Sequence, residues 1–544
     1  MKRLVFSLFL CSATLGAQNL FPKNENLPSE DSLKGSDTRF RNFWDVKKYD
    51  ITVEPDFEKK SVSGSNTITF EITKDIENPV FQIDLQQPID FEFINKDKKL
   101  TAKRDKDFIF ITANKKFKKG EKQQFTFKYW GKPIVAKNAP WDGGWVFAKD
   151  KKGNPWMSVA QEGNGASLWL PIKDIWNDEP DLGIVMKIIV PENLVGVGNG
   201  RLISQKNENG KKAFIWEVKN PINDYSIVPT IGKLANFKDQ YSGEKGKLDL
   251  DYWVLEENLD KAKSHFPKNV QPMLKALEHW FGPYPFYEDS YKLVETPYLG
   301  MEHQSNVAYG NKYMNGYLGH DLSGTGLGLE WDYIIIHESG HEWYANNITA
   351  KDQADMWIHE SFTTYSEVLF EDHFKSKEAG NQYAIGLRKI IENNSPIIGE
   401  YGLRREGSGD MYPKGANMIH TIRQVVNDDE KFRQILRKMN KDFYHQTVTT
   451  QQIENFISQQ AGFDFGPFFN QYLRGTKIPV LEYSQDGKTL KYRYSNVVEN
   501  FNLPLRINDG KTTIKPKTTW ETVTLETSQP VVFDQNYYIE VKKI

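Results

Sequence analysis

The sequence predicts a multidomain α+β protein: a β domain, then a mainly helical domain, then a small β domain. Three observations predict this. The chain has 544 residues, more than a single hydrophobic core organises, so about three domains are expected. Up to about residue 250, apolar and polar residues alternate in short runs bounded by turn residues, the pattern of antiparallel sheet. After about residue 256 the apolar spacing becomes helical, and it returns to alternation over about the last 65 residues.

The elements follow in chain order. The N-terminus reads MKRLVFSLFLCSATLGAQ. Lys2 and Arg3 form a short positive segment, Leu4 to Leu15 is mostly apolar, and the small residues Gly16 and Ala17 follow. This is the pattern of a secretory signal peptide, so residues 1–17 are expected to be removed and the protein exported to the periplasm or secreted. The first domain is assigned to 18–255. In it Tyr49, Ile51 and Val53 alternate with polar residues, as do Ile68, Phe70 and Ile72, then Phe81, Ile83 and Leu85, then Phe125, Phe127 and Tyr129. The polar stretch Ser242 to Lys247 is a turn near its end. The second domain is assigned to 256–475, with helices around Leu274 to Phe281, Glu330 to Asn346, Met356 to Phe374, Ala416 to Val426 and Ile453 to Ser458. The third, 476–544, alternates again at Tyr492 and Tyr494, Val523 and Leu525, and Ile539 and Val541.

Charge excludes some partners. Lys+Arg total 70 against 72 Asp+Glu, a net charge of −2, so there is no basic field for nucleic acid or an anionic membrane surface. Beyond the N-terminus no run reaches the roughly 20 apolar residues that span a bilayer. The one cysteine, Cys11, lies in the export segment, which leaves the mature chain without disulfides or thiol chemistry.

The chemistry concentrates at Ile336-His337-Glu338-Ser339-Gly340-His341-Glu342-Trp343, an H-E-x-x-H sequence. On a helix, residues four apart lie on one face a turn apart, so His337 and His341 aim at one point. Neutral imidazole nitrogens there suit zinc. Glu338 stands beside that point, placed to take a proton from an attacking water. Ile334, Ile335 and Ile336 embed the helix. A second helical segment begins at Asp355, and Glu360 within it lies 19 positions after His341. A catalytic zinc takes three protein ligands and keeps one position open. His337, His341 and Glu360 supply that set for one zinc per chain.

With these residues the chain resembles the M1 metallopeptidases, the gluzincin aminopeptidases, whose pattern is H-E-x-x-H, eighteen residues, then Glu. Trp343, Asn346, Trp357, Phe362, Tyr365 and Glu367 match the flanks. The resemblance places Glu367 behind a zinc histidine. The segment Leu299-Gly300-Met301-Glu302-His303 resembles the family's G-x-M-E-N. It implies that Gly300 and Met301 line the substrate site and that Glu302 holds the free α-amine. His303 stands where Asn is usual. Ser158-Val159-Ala160-Gln161-Glu162-Gly163 resembles the segment that sends a further anchor from the β domain, with Gln161 the first choice and Glu162 the second. Tyr412-Pro413-Lys414-Gly415-Ala416 resembles Y-x-K-G-A, whose Tyr412 would donate to the oxyanion.

The resemblance spans nearly the whole mature chain. It implies a saddle-like N-terminal β-sheet domain, a thermolysin-like catalytic domain and a C-terminal β-sandwich. It also implies aminopeptidase action on peptides with a free N-terminus. Three rivals stay open: a thermolysin-like endopeptidase, an epoxide hydrolase side activity and a non-catalytic scaffold.

Other signals carry less. The glycines from Gly324 to Gly328 are not followed by a Lys-Ser/Thr pair and read as a loop, not a phosphate cradle. His359 points away from the metal. His265, His279, His320, His373, His420 and His445 have no ligand spacing and read as packing or surface residues.

Overall fold

The structure, a computed structural model, describes residues 28–544 apart from Asp509. The expected export segment, with Cys11, lies outside the described residues. Among the described residues no helix is long and apolar enough to cross a membrane.

The alternating runs pair as sheet. Seven strands lie in the order Arg201–Glu208, Lys211–Val218, Ile184–Pro191, Trp44–Asp56, Ser61–Ile72, Lys122–Gly131 and Asp90–Ile94. Period two sends Tyr49, Ile51, Val53, Ile68, Phe70, Ile72, Phe125, Phe127 and Tyr129 to one buried face. Phe81 and Ile83 belong to a separate three-stranded sheet, in the strand Val80–Asp84. A four-stranded sheet contains the antiparallel pair Gly144–Lys149 and Pro155–Ala160. The chain leaves the strand at Ala160 directly into Gln161 and Glu162.

The hairpin Leu234–Gly243 and Gly246–Leu255, grouped by the sequence reading with the β domain, joins a different sheet. Its order is Leu234–Gly243, Gly246–Leu255, Tyr291–Glu295, Val307–Tyr309 and Gly300–Met301. That sheet therefore crosses residue 255. Alternation identifies a strand but does not say which sheet it joins. The short strand Gly300–Met301 closes the order, so one of its edges is unpaired beside the helix Tyr333–Gly340.

The helical region is richer than the sequence shows. The helix read around Leu274 begins at Leu259 and runs to Phe281, with Pro267 and Pro272 inside it. Two prolines, each lacking a backbone donor, hide its first half from a periodicity reading. The helices Lys377–Leu387, Asp429–Asp442 and Gly466–Leu473 were not expected. The H-E-x-x-H helix is short, Tyr333–Gly340, with His341 at its C-cap. In the C-terminal region a four-stranded sheet and the hairpin Leu505–Ile507/Thr512–Ile514 share one apolar core with the helices.

Candidate active site

The site is built around the N-cap of the helix Tyr333–Gly340. Asp332 Oδ1 accepts from Ile334 N and Ile335 N, at 3.1 and 3.4 Å. Asn311 Nδ2 donates to the same carboxylate at 2.8 Å, and so do Tyr309 OH and His265 Nε2, each at 2.7 Å. His265, which looks like packing in the sequence, thus helps to fix the start of this helix. Gly340, at its end, lets the helix Trp357–Phe374 come close: a Cβ there would lie 2.6 Å from Ser366 Oγ.

This approach brings the three predicted ligands together. His337 Nε2 and His341 Nε2 lie 3.5 and 3.4 Å from Glu360 Oε2. Two donors bound at about 2.0–2.1 Å to a tetrahedral ion are roughly 3.3–3.4 Å apart, so the spacing fits zinc. Glu360 Oε2 is buried and has no hydrogen-bond partner, an unsatisfied anion that a cation would satisfy. The far side of each ring is tied. His337 Nδ1 donates to Glu367 Oε1 at 2.7 Å, and Glu367 Oε2 accepts from Tyr383 OH at 2.8 Å. His341 Nδ1 donates to the Tyr344 carbonyl at 3.0 Å. With Nδ1 protonated in each ring, both Nε2 lone pairs face Glu360. Tyr383 carries no ligand spacing and was not found from sequence.

A second grouping, Glu302, Glu338 and His341, also has its ligand atoms within 4.8 Å of one another. It shares His341 with the first but omits the anchored His337. The set His337, His341 and Glu360 is the better ion site, and the second grouping locates Glu302 and Glu338 beside it. Burial pushes the Glu338 carboxyl up to about 7, which suits a proton acceptor working near neutrality. Gly300 makes room for it. A Cβ at Gly300 would lie 2.7 Å from Glu338 Oε1 and 2.9 Å from Ile334 Cγ2.

Glu302 follows the edge strand Gly300–Met301 and is buried, and its Oε1 has no hydrogen-bond partner. Asn346 Nδ2 donates to the Glu302 carbonyl at 2.8 Å and fixes the backbone. His303 is fully buried with neither ring nitrogen partnered, and burial holds it down at about 3. Its ring is therefore neutral.

Gln161 needs correction as the β-domain anchor. Its Nε2 donates to the carbonyls of Tyr225 and Ile227 at 3.0 and 2.8 Å, and its Oε1 accepts from Trp169 Nε1 at 2.7 Å. A fully buried amide with both ends occupied has nothing left for a ligand. Glu162, the second choice, is the group turned to the site. Its Oε1 is buried without a partner. Burial first, then the carboxylates of Glu302, Glu360 and Glu406, push it well above the usual range. The bond between Gln161 and Trp169 holds the backbone that presents it.

Tyr412 stacks over His337, with ring centroids 6.0 Å apart and planes at 24°. Burial and then Glu360 raise its hydroxyl, so it stays a donor. The rest of its motif is structural. Ser361 Oγ donates to the Met411 carbonyl at 2.7 Å, and a Cβ at Gly415 would lie 1.9 Å from that Oγ. Lys414 Nζ donates to the Gly475 carbonyl at 2.8 Å.

Residues 268–472 match the description Peptidase family M1 domain. The chain is 22% identical over 352 residues to a leucyl aminopeptidase of Saccharolobus solfataricus, covering 60% of this chain and 43% of that one. It is 23% identical over 290 residues to leukotriene A-4 hydrolase of Xenopus laevis, covering 50% and 44%. The chain thus spans less than half the length of these curated relatives. Among solved structures it is similar in fold to an M1 zinc metallopeptidase of Deinococcus radiodurans, solved as a variant with a Tyr-Ser-Ala substrate. The TM-score is 0.66 at 19% identity, over 81% of this chain and 97% of that one.

Proposed function

We propose that this chain, whose residues 268–472 match the peptidase family M1 domain, is a zinc aminopeptidase that removes the first residue from peptides. The observation that carries the reading is the pair of carboxylates beside the metal group, Glu302 buried and Glu162 half-buried. Glu302 and Glu162 each have an unpartnered oxygen, and the charges acting most strongly on Glu162 are other carboxylates. Such a wall calls for a cation from the ligand, and the α-ammonium of a peptide supplies one.

His337, His341 and Glu360 would hold the zinc. When bound, it supplies a Lewis acid for the scissile carbonyl and the attacking water. Glu338 takes the water's proton and passes it to the leaving nitrogen. Tyr412 donates to the oxygen that becomes negative. Glu302 and Glu162 hold the ammonium and so set the cut one residue from the N-terminus. Glu367 and the Tyr344 carbonyl keep both imidazoles in the tautomer that frees Nε2.

Acetylating the substrate amine removes its charge and leaves both carboxylates unpaired. Turnover of an N-acetylated peptide is therefore expected to fall about 10²-fold or more below its free-amine parent. Glu302→Ala is expected to lower kcat/KM on the free amine by a similar factor with zinc content unchanged, and Glu162→Ala to act in the same direction. Efficient cleavage of acetylated peptides at internal bonds would replace this reading with an endopeptidase.

The N-terminal sequence supports export. Protein purified from its native source is expected to begin near Gln18 outside the cytoplasm, and N-terminal sequencing that finds Met1 there contradicts this.

A further inference from the structure

A cavity of about 600 Å³ opens between the end of the helix Leu259–Phe281 and the helix Asp429–Asp442. That volume suits a small organic ligand. None of its lining residues belongs to the metal group or to the amine-holding pair. It lies behind the H-E-x-x-H segment. The Phe281 ring in its wall packs on Trp343 and Tyr344, at 6.2 and 5.1 Å between centroids. Neighbouring side chains do not fill it at Gly282, where a Cβ would meet nothing within 4 Å.

The wall has two chemistries. Phe281, Pro283 and Tyr444 supply apolar surface. Four basic residues also line it, in a chain whose net charge is −2. Two of these are already used. Arg437 holds Glu244 through two contacts, at 2.7 and 2.9 Å, and Lys438 pairs with Asp442. Lys245 and Lys441 have no ion pair among the described residues. Lys245 Nζ lies 4.9 Å from the centre of the Tyr444 ring, so a cation without an ion pair sits against the apolar surface. The buried back of the cavity offers no competing ligand group. Asn347 Nδ2 donates to Asn440 Oδ1, and Asn347 Oδ1 accepts from His445 N.

We propose that this cavity is a binding site for an amphipathic organic anion, an aromatic or alkyl body carrying one carboxylate. The body packs on Phe281 and Pro283 beside the edge of Tyr444, and the carboxylate meets Lys245 and Lys441. Inorganic phosphate would leave the apolar wall wet, and a neutral hydrocarbon would leave both ammonium groups without a partner. This inference does not depend on the proposed peptidase activity.

Calorimetry on the zinc-loaded full chain tests it, with 3-phenylpropionate and its uncharged amide as probes. The acid is expected to bind, and the amide to bind about tenfold more weakly or worse. The double variant Lys245→Glu, Lys441→Glu is expected to lose about tenfold or more in affinity for the acid, with an unchanged thermal midpoint. Glu338→Gln is expected to bind the acid as the native protein does. Absence of binding, equal binding of acid and amide, or full binding of the acid by the double variant each overturns the proposal, the last because it puts the probe at the metal or elsewhere.

Discussion

Replacing Glu338 with Gln is expected to leave zinc in place and to lower kcat by about 10²–10⁴-fold. The expectation rests on where the side chain stands. It lies next to the His337, His341 and Glu360 set without being part of it. Gln has nearly the same shape, so it fits the space that Gly300 leaves, where even a Cβ would come within 2.7 Å of Glu338 Oε1. What the amide loses is the ability to take and return a proton. Metal analysis beside single-turnover kinetics separates the two roles. If the variant instead loses its zinc, Glu338 is a ligand, and the alternative grouping of Glu302, Glu338 and His341 is the true ion site. Native turnover by a zinc-loaded variant would show that another group is the base.

Much of this site is legible in the sequence because its spacing is local. Two histidines four apart on a buried helix and a glutamate on the next helix can converge only if the helices pack. Gly340, which permits that packing, and Gly415, which lets the Tyr412 segment close on the Glu360 helix, sit inside the motifs themselves. The β domain is legible for a similar reason: period two names the buried face without knowledge of the partner strand. What is not legible depends on long-range pairing. The sheet that joins Leu234–Leu255 to Tyr291–Glu295 is a contact between strands separated by a long helix. The support of Glu367 by Tyr383, and of Asp332 by His265, joins residues 16 and 67 positions apart. The exchange of Gln161 for Glu162 as anchor has the same origin. Gln161 follows the strand and Glu162 lies in the turn after it, and only the positions of Tyr225, Ile227 and Trp169 show which of the two is structural.

Tyr412→Phe is expected to lower kcat by about 10²–10³-fold while zinc content and KM stay near native values. The supports of this loop do not use the hydroxyl. Ser361 holds the Met411 carbonyl, Lys414 holds the Gly475 carbonyl, and the ring of residue 412 stacks on His337. Phe keeps all of them, so the variant folds with its ring in the same place. The half-buried ring places its hydroxyl in a carboxylate-rich setting that keeps it protonated. In the ground state a neutral carbonyl oxygen gains little from such a donor. As the carbonyl carbon becomes tetrahedral, its oxygen acquires charge, and the same donor then strengthens in a site largely shielded from water. An interaction that grows only along the reaction appears in kcat, whereas loss of a substrate contact would raise KM. Steady-state kinetics on one free-amine dipeptide resolve this. A kcat within about threefold of the native value would remove Tyr412 from the chemistry, because so small a change corresponds to well under 1 kcal/mol. A rise in KM alone would make it a binding residue.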